Sequence, residues 1–307
     1  MKKQNIAIFG SGYVGNYLLD GITDHSVKIY NKQDHAYDHA PTLLGILKQD
    51  NPDYVINACG YTGRPNVDAC ETDREKCWDL NVNLPVTISA MCETLDIPFI
   101  HVSSGCIYTG YDKEYTETDA PNFGLDSDDS SWYSKTKHAG EIALKNQNNY
   151  ILRVRMPFCG DNHERNFFNK ILKYDNLISY DNSMTCIEDF VIFIQKFIEN
   201  LETRTGKFKA QPGIFNVCNP GSADLKKITA IFEKNGIANP DWSFVPIENL
   251  DLAANRSNCV LNCAKIEQLG LGLPHIDDSL EDRIAYMCKK FLFKTGLTNP
   301  RLGVQVK

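Results

Sequence analysis

The sequence predicts an α/β protein: a doubly wound, mostly parallel sheet accompanied by a smaller C-terminal lobe. Three observations carry that expectation. Short β-branched runs alternate with longer stretches of helical period through the first half of the chain, a glycine-rich turn follows the first run directly, and the alternation breaks after Val154. Parallel neighbours cannot be joined by a tight turn, so each connection needs a crossover helix, and the helices come to cover both faces of the sheet.

In order, IAIF leads into a helix from Tyr13 to Ile22, SVKIY into Pro41 to Gln49, YVINAC into Arg74 to Thr94, and PFIHVSS into Trp132 to Asn146; YILRV closes the series. Ligands of such sheets lie at the carboxyl ends of the strands. Beyond Val154, Pro157 opens a polar loop and a short helix, and NSMTCIEDFVIFIQKFIENL interrupts the sheet. GIFNVCNPGS is a further strand-like run, Asp224 to Asn235 is helical, and the tail from Ala238 onward has weaker regularity.

With 307 residues, 42% of them hydrophobic, the chain can bury a full core. A net charge of −7, a pI near 5.5 and no run of lysines or arginines argue against nucleic acid or an anionic membrane as partner. The start MKKQNIAIFG runs straight into a strand-like stretch, which disfavours secretion and membrane spanning and leads us to expect a cytoplasmic protein. Eleven cysteines are scattered from Cys59 to Cys288, and even Cys259 and Cys263, four apart, lack matching His or Cys partners. The expectation is no metal, no disulfides, and thiols that are mostly buried.

The turn Gly10-Ser11-Gly12-Tyr13-Val14-Gly15 has the spacing of a dinucleotide site. Its first glycine permits the tight turn, the second lets the backbone approach a pyrophosphate, and the third allows close packing of helix on strand. A Rossmann-type fold follows from its position between strand and helix. At the end of the second strand, Asn31 and Lys32 stand where an acid would meet the ribose hydroxyls of NAD. Lys32 suits a 2′-phosphate, so NADP(H) is preferred, with Asp34 keeping NAD(H) open. We divide the chain into a dinucleotide-binding domain over about 1–155, with a returning segment over about 178–218, and a smaller substrate-binding lobe from 156–177 and 219–307.

Tyr133 and Lys137, four apart near the start of a helix, share one face. A lysine ammonium about 4 Å from a phenol contributes about 4 kcal/mol at an effective dielectric of about 20, roughly 3 pKa units, so the pair is expected to bring Tyr133 down from about 10. Such a phenol can exchange a proton with a carbonyl or hydroxyl oxygen while a nicotinamide exchanges hydride. PFIHVSS ends one element earlier at Ser104, which can polarise the same carbonyl.

The glycine turn, strand-end serine and Tyr-x-x-x-Lys helix together resemble the extended short-chain dehydrogenase/reductases. The stretches ACGYTGRPNVDACE, SSGCIY, APNF, YSKTK, LRVRMP, RNFFNKIL, NSMT, FNVCNPG and RSNCVLN are similar to the bifunctional nucleotide-rhamnose 3,5-epimerase/4-reductases and, more broadly, to dTDP-4-dehydrorhamnose reductase. In one respect the chain departs from that pattern: the family's glycine turn carries one more residue.

The resemblance implies a nucleotide-4-keto-6-deoxyhexose as substrate, UDP- or dTDP-linked, and a nucleotide-L-rhamnose or similar 6-deoxy sugar as product. Cys106, two residues beyond Ser104, is similar to the cysteine that serves as an epimerisation acid in GDP-fucose synthase. Lys170 is implied as the base on the opposite ring face, with His163 in reserve. Asn57, Ala58 and Gly60 are implied near the cofactor. Arg64, Asn66 and Arg256 are implied at the substrate, with Arg155, Asn166 and Asn182 as further candidates. The superfamily also implies a homodimer through the helices that begin at Arg74 and Trp132. Two rival readings stand beside this one: a 4-reductase without epimerase activity, and a non-catalytic NADP(H)-binding regulatory subunit.

Overall fold

In the computed structural model, which describes residues 3–145, 148–201, 210–239 and 241–295, alternation along each strand sorts apolar side chains into two layers. The strands in chain order are β1 (Asn5–Phe9), β2 (Ser26–Tyr30), β3 (Tyr54–Asn57), β4 (Phe99–Ser104), β5 (Asn149–Val154), β6 (Asn176–Leu177), β7 (Asn182–Met184), β8 (Gly213–Asn216), β9 (Asn219–Ala223) and β10 (Ser243–Phe244). The helices are α1 (Tyr13–Gly21), α2 (Lys32–His35), α3 (Ala40–Asp50), α4 (Arg74–Trp78), α5 (Leu84–Thr94), α6 (Trp132–Leu144), α7 (Phe167–Ile171), α8 (Ile187–Asn200), α9 (Leu225–Lys234), α10 (Ala264–Gln268) and α11 (Ile276–Thr295). Ile6 and Ile8 pack with Leu18 of α1 and Phe190 and Ile194 of α8, while Ala7 and Phe9 pack with Leu43 of α3, Ile88 of α5 and Leu144 of α6.

The main sheet runs β2-β1-β3-β4-β5-β8 with every neighbour parallel. Its strand order reverses between β1 and β3, so their carboxyl ends leave a crevice there. This is the expected Rossmann-type α/β sheet. The helix expected from Arg74 to Thr94 is interrupted by a π-helical turn at Asp79–Asn83. Pro85 has no N–H to offer the Asn81 carbonyl, which loses its i+4 partner. The helix from Trp132 is described to Leu144; its expected end at Asn146 lies outside the described residues.

Two expectations are corrected. GIFNVCNPGS is not one strand: β8 extends the main sheet beside β5, whereas β9 pairs antiparallel with β7. The tail regains order in the 20-residue α11, where Ile276, Leu280, Ile284, Met287 and Cys288 form a narrow apolar seam among charged residues. That seam joins Phe158, Phe168, Ile228 and Phe232 in a second core, distinct from the two layers of the main sheet. Residues 296–307, which the sequence assigned to the smaller lobe, lie outside the described residues. Nine of the eleven cysteines are buried, and Cys59 and Cys106 are half-buried. No described helix is long and apolar enough to cross a membrane.

Candidate functional site

The frame of the site is α6 and the strand ends beneath it. Ser131 caps the helix, its hydroxyl accepting the Ser134 N–H, a contact worth about 1 kcal/mol. Tyr133, Lys137 and Glu141 then recur every fourth residue along one face. Glu141 is buried and accepts from Arg153 Nη2 at 2.8 Å and from Ser103 Oγ at 2.7 Å. Arg153 also donates to the Tyr108 hydroxyl at 2.9 Å. This buried pair fixes α6 over the carboxyl ends of β4 and β5, so Ser104 and Lys137 are set by one network. At Gly140 a side chain would place Cβ 2.4 Å from the Asn81 carbonyl oxygen, so the helix can sit this close only with glycine there.

These groups open onto a cavity of ≈ 920 Å³ at the carboxyl end of the sheet. Ser11, Gly12, Tyr13, Val14, Ala58 and Gly60 line it from the first half of the chain, together with Ser104, Cys106, Tyr133 and Lys137. From other segments come Arg64, Asn66, Lys170 and Arg256. All five residues singled out for catalysis therefore face one space.

The glycine turn fits a dinucleotide. Gly10 has φ +107°, and a Cβ there would lie 2.8 Å from the Cys59 nitrogen; at Gly15 it would lie 1.9 Å from the Gly10 oxygen. Gly12 faces open space, where a Cβ would meet nothing within 4 Å, and the first turn of α1 holds no acidic side chain. Its amides are therefore available to an anion.

Protonation at the centre corrects one expectation. Burial pushes the Tyr133 phenol up, and the nearby Cys106, Cys70 and Cys77 thiols push the same way; only the hydrogen bond with Ser104 pulls down. Desolvation is the largest of these effects. Lys137 is itself depressed by burial to about 8. Lys170 is lowered by burial first, then by Arg165 and Arg256. His163 is lowered by burial, and its ring stacks on Tyr13 at 4.6 Å.

Several expected residues lie elsewhere. Asn166 is fully buried, capping α7 and bonding the Cys159 backbone. Asn182 bonds Arg155 and Asn258, and neither asparagine lines the cavity. Asn57 is buried against His101 at 3.1 Å and supports the Cys59 N–H. Asn31 caps α2, and Lys32 pairs with Asp38 at 2.7 Å; both stand outside the cavity wall.

Sequence reasoning missed Asp68, which holds Arg256 through an ion pair at 2.8 Å, and Arg165, which donates to the Gly63 carbonyl at 2.8 Å and to Thr62 at 3.1 Å. Arg165 thereby ties the loop after β3 to the loop before α7. Only the fold reveals these pairings, since the partners lie far apart in sequence.

Comparisons with known proteins give the family and the fold. The family model described as the RmlD substrate binding domain matches residues 4–288. A bifunctional dTDP-4-dehydrorhamnose 3,5-epimerase/dTDP-4-dehydrorhamnose reductase from Arabidopsis thaliana is 30% identical over 90% of this chain and 91% of its own length. A trifunctional UDP-glucose 4,6-dehydratase/UDP-4-keto-6-deoxy-D-glucose 3,5-epimerase/UDP-4-keto-L-rhamnose-reductase from the same plant is 32% identical over 89% of this chain; the match spans only 40% of that longer protein. Among solved structures, a UDP-rhamnose synthase from Acanthamoeba polyphaga mimivirus superposes with a TM-score of 0.81 at 25% identity, over 93% of this chain and 100% of that one. Other solved structures of the same fold hold NADP or NAD.

Proposed function

Because the chain belongs to the RmlD substrate binding domain family, we propose that it is an NADP(H)-dependent 3,5-epimerase/4-reductase acting on a UDP- or dTDP-linked 4-keto-6-deoxyglucose and forming a nucleotide-L-rhamnose or similar 6-deoxy sugar. One observation carries the reading: Cys106 and Lys170 share a cavity with Ser104, Tyr133 and Lys137. A reductase needs only the last three. The first two supply an acid and a base for carbon, which are of use only if ring protons are exchanged.

The C4 ketone acidifies the protons at C3 and C5. Lys170, made less basic by burial, takes a proton from one ring face, and Cys106 returns one on the other through an enediolate. Ser104 hydrogen-bonds the C4 oxygen and stabilises the charge gathering there. In reduction, Tyr133 gives that oxygen its proton. Burial keeps the phenol protonated, which suits a donor. Lys137 supports the tyrosine and the cofactor ribose. Gly10 to Gly15, Ala58 and Gly60 hold the cofactor, whose nicotinamide supplies the hydride when bound.

Arg64, Asn66 and Arg256 bind the nucleotide-sugar, with Arg256 toward the diphosphate and Asp68 holding it in place. The substrate lobe takes 156–177 and the chain from 219, where Phe158, Phe168, Ile228, Phe232 and Ile284 share one core with Met184 and Cys186, while Leu261 and Ile266 pack into the core of the main sheet. Lys32 favours NADP(H), and two copies pack through the helices that begin at Arg74 and Trp132, with Ile142 of α6 exposed for that contact.

The test is to mix purified protein with NADPH and each 4-keto sugar, following absorbance at the reduced-nicotinamide band and the product by mass and NMR. Oxidation of NADPH with formation of the L-rhamno sugar is expected. If NADPH is consumed only with a sugar already epimerised, the protein is a plain 4-reductase. Cofactor binding without turnover of either sugar would make it a regulatory subunit.

A further inference from the structure

Two arginines lie two residues apart at the end of β5, and both are buried, at 2% and 1% exposure. Arg153 meets the Glu141 carboxylate. Arg155 makes no ion pair among the described residues. Its Nη1 donates to Ser257 Oγ at 2.9 Å, to the Gly105 carbonyl at 3.3 Å and to Cys106 Sγ at 3.5 Å. Its Nη2 donates to the Ser257 carbonyl at 2.7 Å and to Asn182, and its Nε has no partner. A buried cation without an anion is costly, and polar neutral groups offset only part of that cost. One of its N–H groups points at the sulfur of the half-buried cysteine that lines the cavity.

We propose that Arg155 is a positioning residue for Cys106, fixing its sulfur at the cavity wall and supplying the counter-charge to the thiolate formed when the thiol gives up its proton. This rests on the epimerase reading above. In the step, the S–H bond breaks and its electron pair stays on sulfur, beside the Arg155 Nη1–H. The electron pair of the enediolate carbon takes the proton and forms the new C–H bond. No oxidant or further reactant enters. The arrangement also explains the anchoring of the guanidinium: Ser257, Asn182 and the Gly105 carbonyl hold it without neutralising it, and of the groups it hydrogen-bonds among the described residues the Cys106 sulfur is the one that can become an anion, while the Cys259 and Cys218 thiols and the Tyr111 phenol also lie within its field.

The test compares the full-length wild type with Arg155→Met, Arg155→Gln and Arg155→Lys in two assays. Without substrate, iodoacetamide alkylation of Cys106 at pH 7, resolved by peptide mass mapping, is expected to slow by about tenfold or more in the neutral variants and to recover in Arg155→Lys, because thiolates beside a cation are the reactive form. With substrate, ring-proton exchange is expected to fall by a similar factor, while reduction of a sugar already epimerised changes less than about threefold. Equal alkylation rates in wild type and neutral variants would overturn the proposal, as would a parallel loss of exchange and reduction. If neither neutral variant folds, Ser257→Ala removes one anchor, and the absence of any slowing there would overturn it equally. Failure of the epimerase reading is told apart because it abolishes ring exchange in the wild type and leaves the alkylation comparison intact.

Discussion

The two sides of the cavity are built on different principles. The side contributed by the main sheet is lined by the glycine turn, Ala58, Gly60, Ser104, Tyr133 and Lys137, with Lys137 carried on a helix held by the buried Glu141–Arg153 pair. The side contributed by later segments mixes long cations, Arg165, Lys170 and Arg256, with apolar side chains such as Phe167 and Leu252 on loops and short helices, tied to the loop after β3 by bonds such as Arg256 to Asp68 and Arg165 to Gly63. Cofactor chemistry tolerates one geometry, which close packing enforces. Substrate recognition needs reach and adjustability, which loops provide.

That comparison can be broken at several points. Tyr133→Phe on the sheet side is expected to lower the rate of reduction by about 10² to 10⁴ while ring exchange persists, read as kcat for NADPH oxidation against deuterium wash-in. Loss of both activities would mean that the two steps share their acid. Glu141→Ala is expected to cost about 3–5 kcal/mol of stability, because it strands the buried Arg153, and urea unfolding checks this. An effect below about 1 kcal/mol would mean the frame does not depend on the pair.

The pH dependence should separate the sides further. Lys137 carries its proton below about 8 and loses it above, so reduction is expected to decline as pH rises through that value. Lys170 works as a base only when neutral, and burial shifts it down, so exchange is expected to rise with pH. Initial rates of the two reactions from pH 6 to 9 would check this, and parallel profiles would contradict it. The smallest effect is expected from Lys32→Ala, which removes an exposed group already paired with Asp38: a few-fold rise in KM for NADPH and none for NADH. Equal changes for both cofactors would remove Lys32 from phosphate recognition.

The same contrast governs what could be read from the sequence. The sheet side is written in contiguous motifs, because one strand, one turn and one helix supply each part: IAIF with its glycines, PFIHVSS with Ser104, YSKTK with Tyr133 and Lys137. Their periods of two and about four are visible without a structure. The facing side joins residues far apart, such as Asp68 with Arg256 and Arg165 with Gly63, and no local period marks them. Asn166 and Asn182 show the reverse error. Buried asparagines that cap a helix or hold an arginine read, in one dimension, like ligand contacts. For Tyr133, spacing reports the lysine's proximity and is silent on the burial that pushes the phenol up.

Whether one cavity both exchanges ring protons and reduces the ketone is decided by running the reaction with NADPH in deuterated water, for wild type and Cys106→Ala, and locating deuterium in the product sugar by NMR. Deuterium is expected at C3 and C5 in the wild type, and for Cys106→Ala loss of that exchange with retained reduction of an epimerised sugar. Product formed by the wild type without ring deuterium, or full exchange in Cys106→Ala, would contradict that expectation.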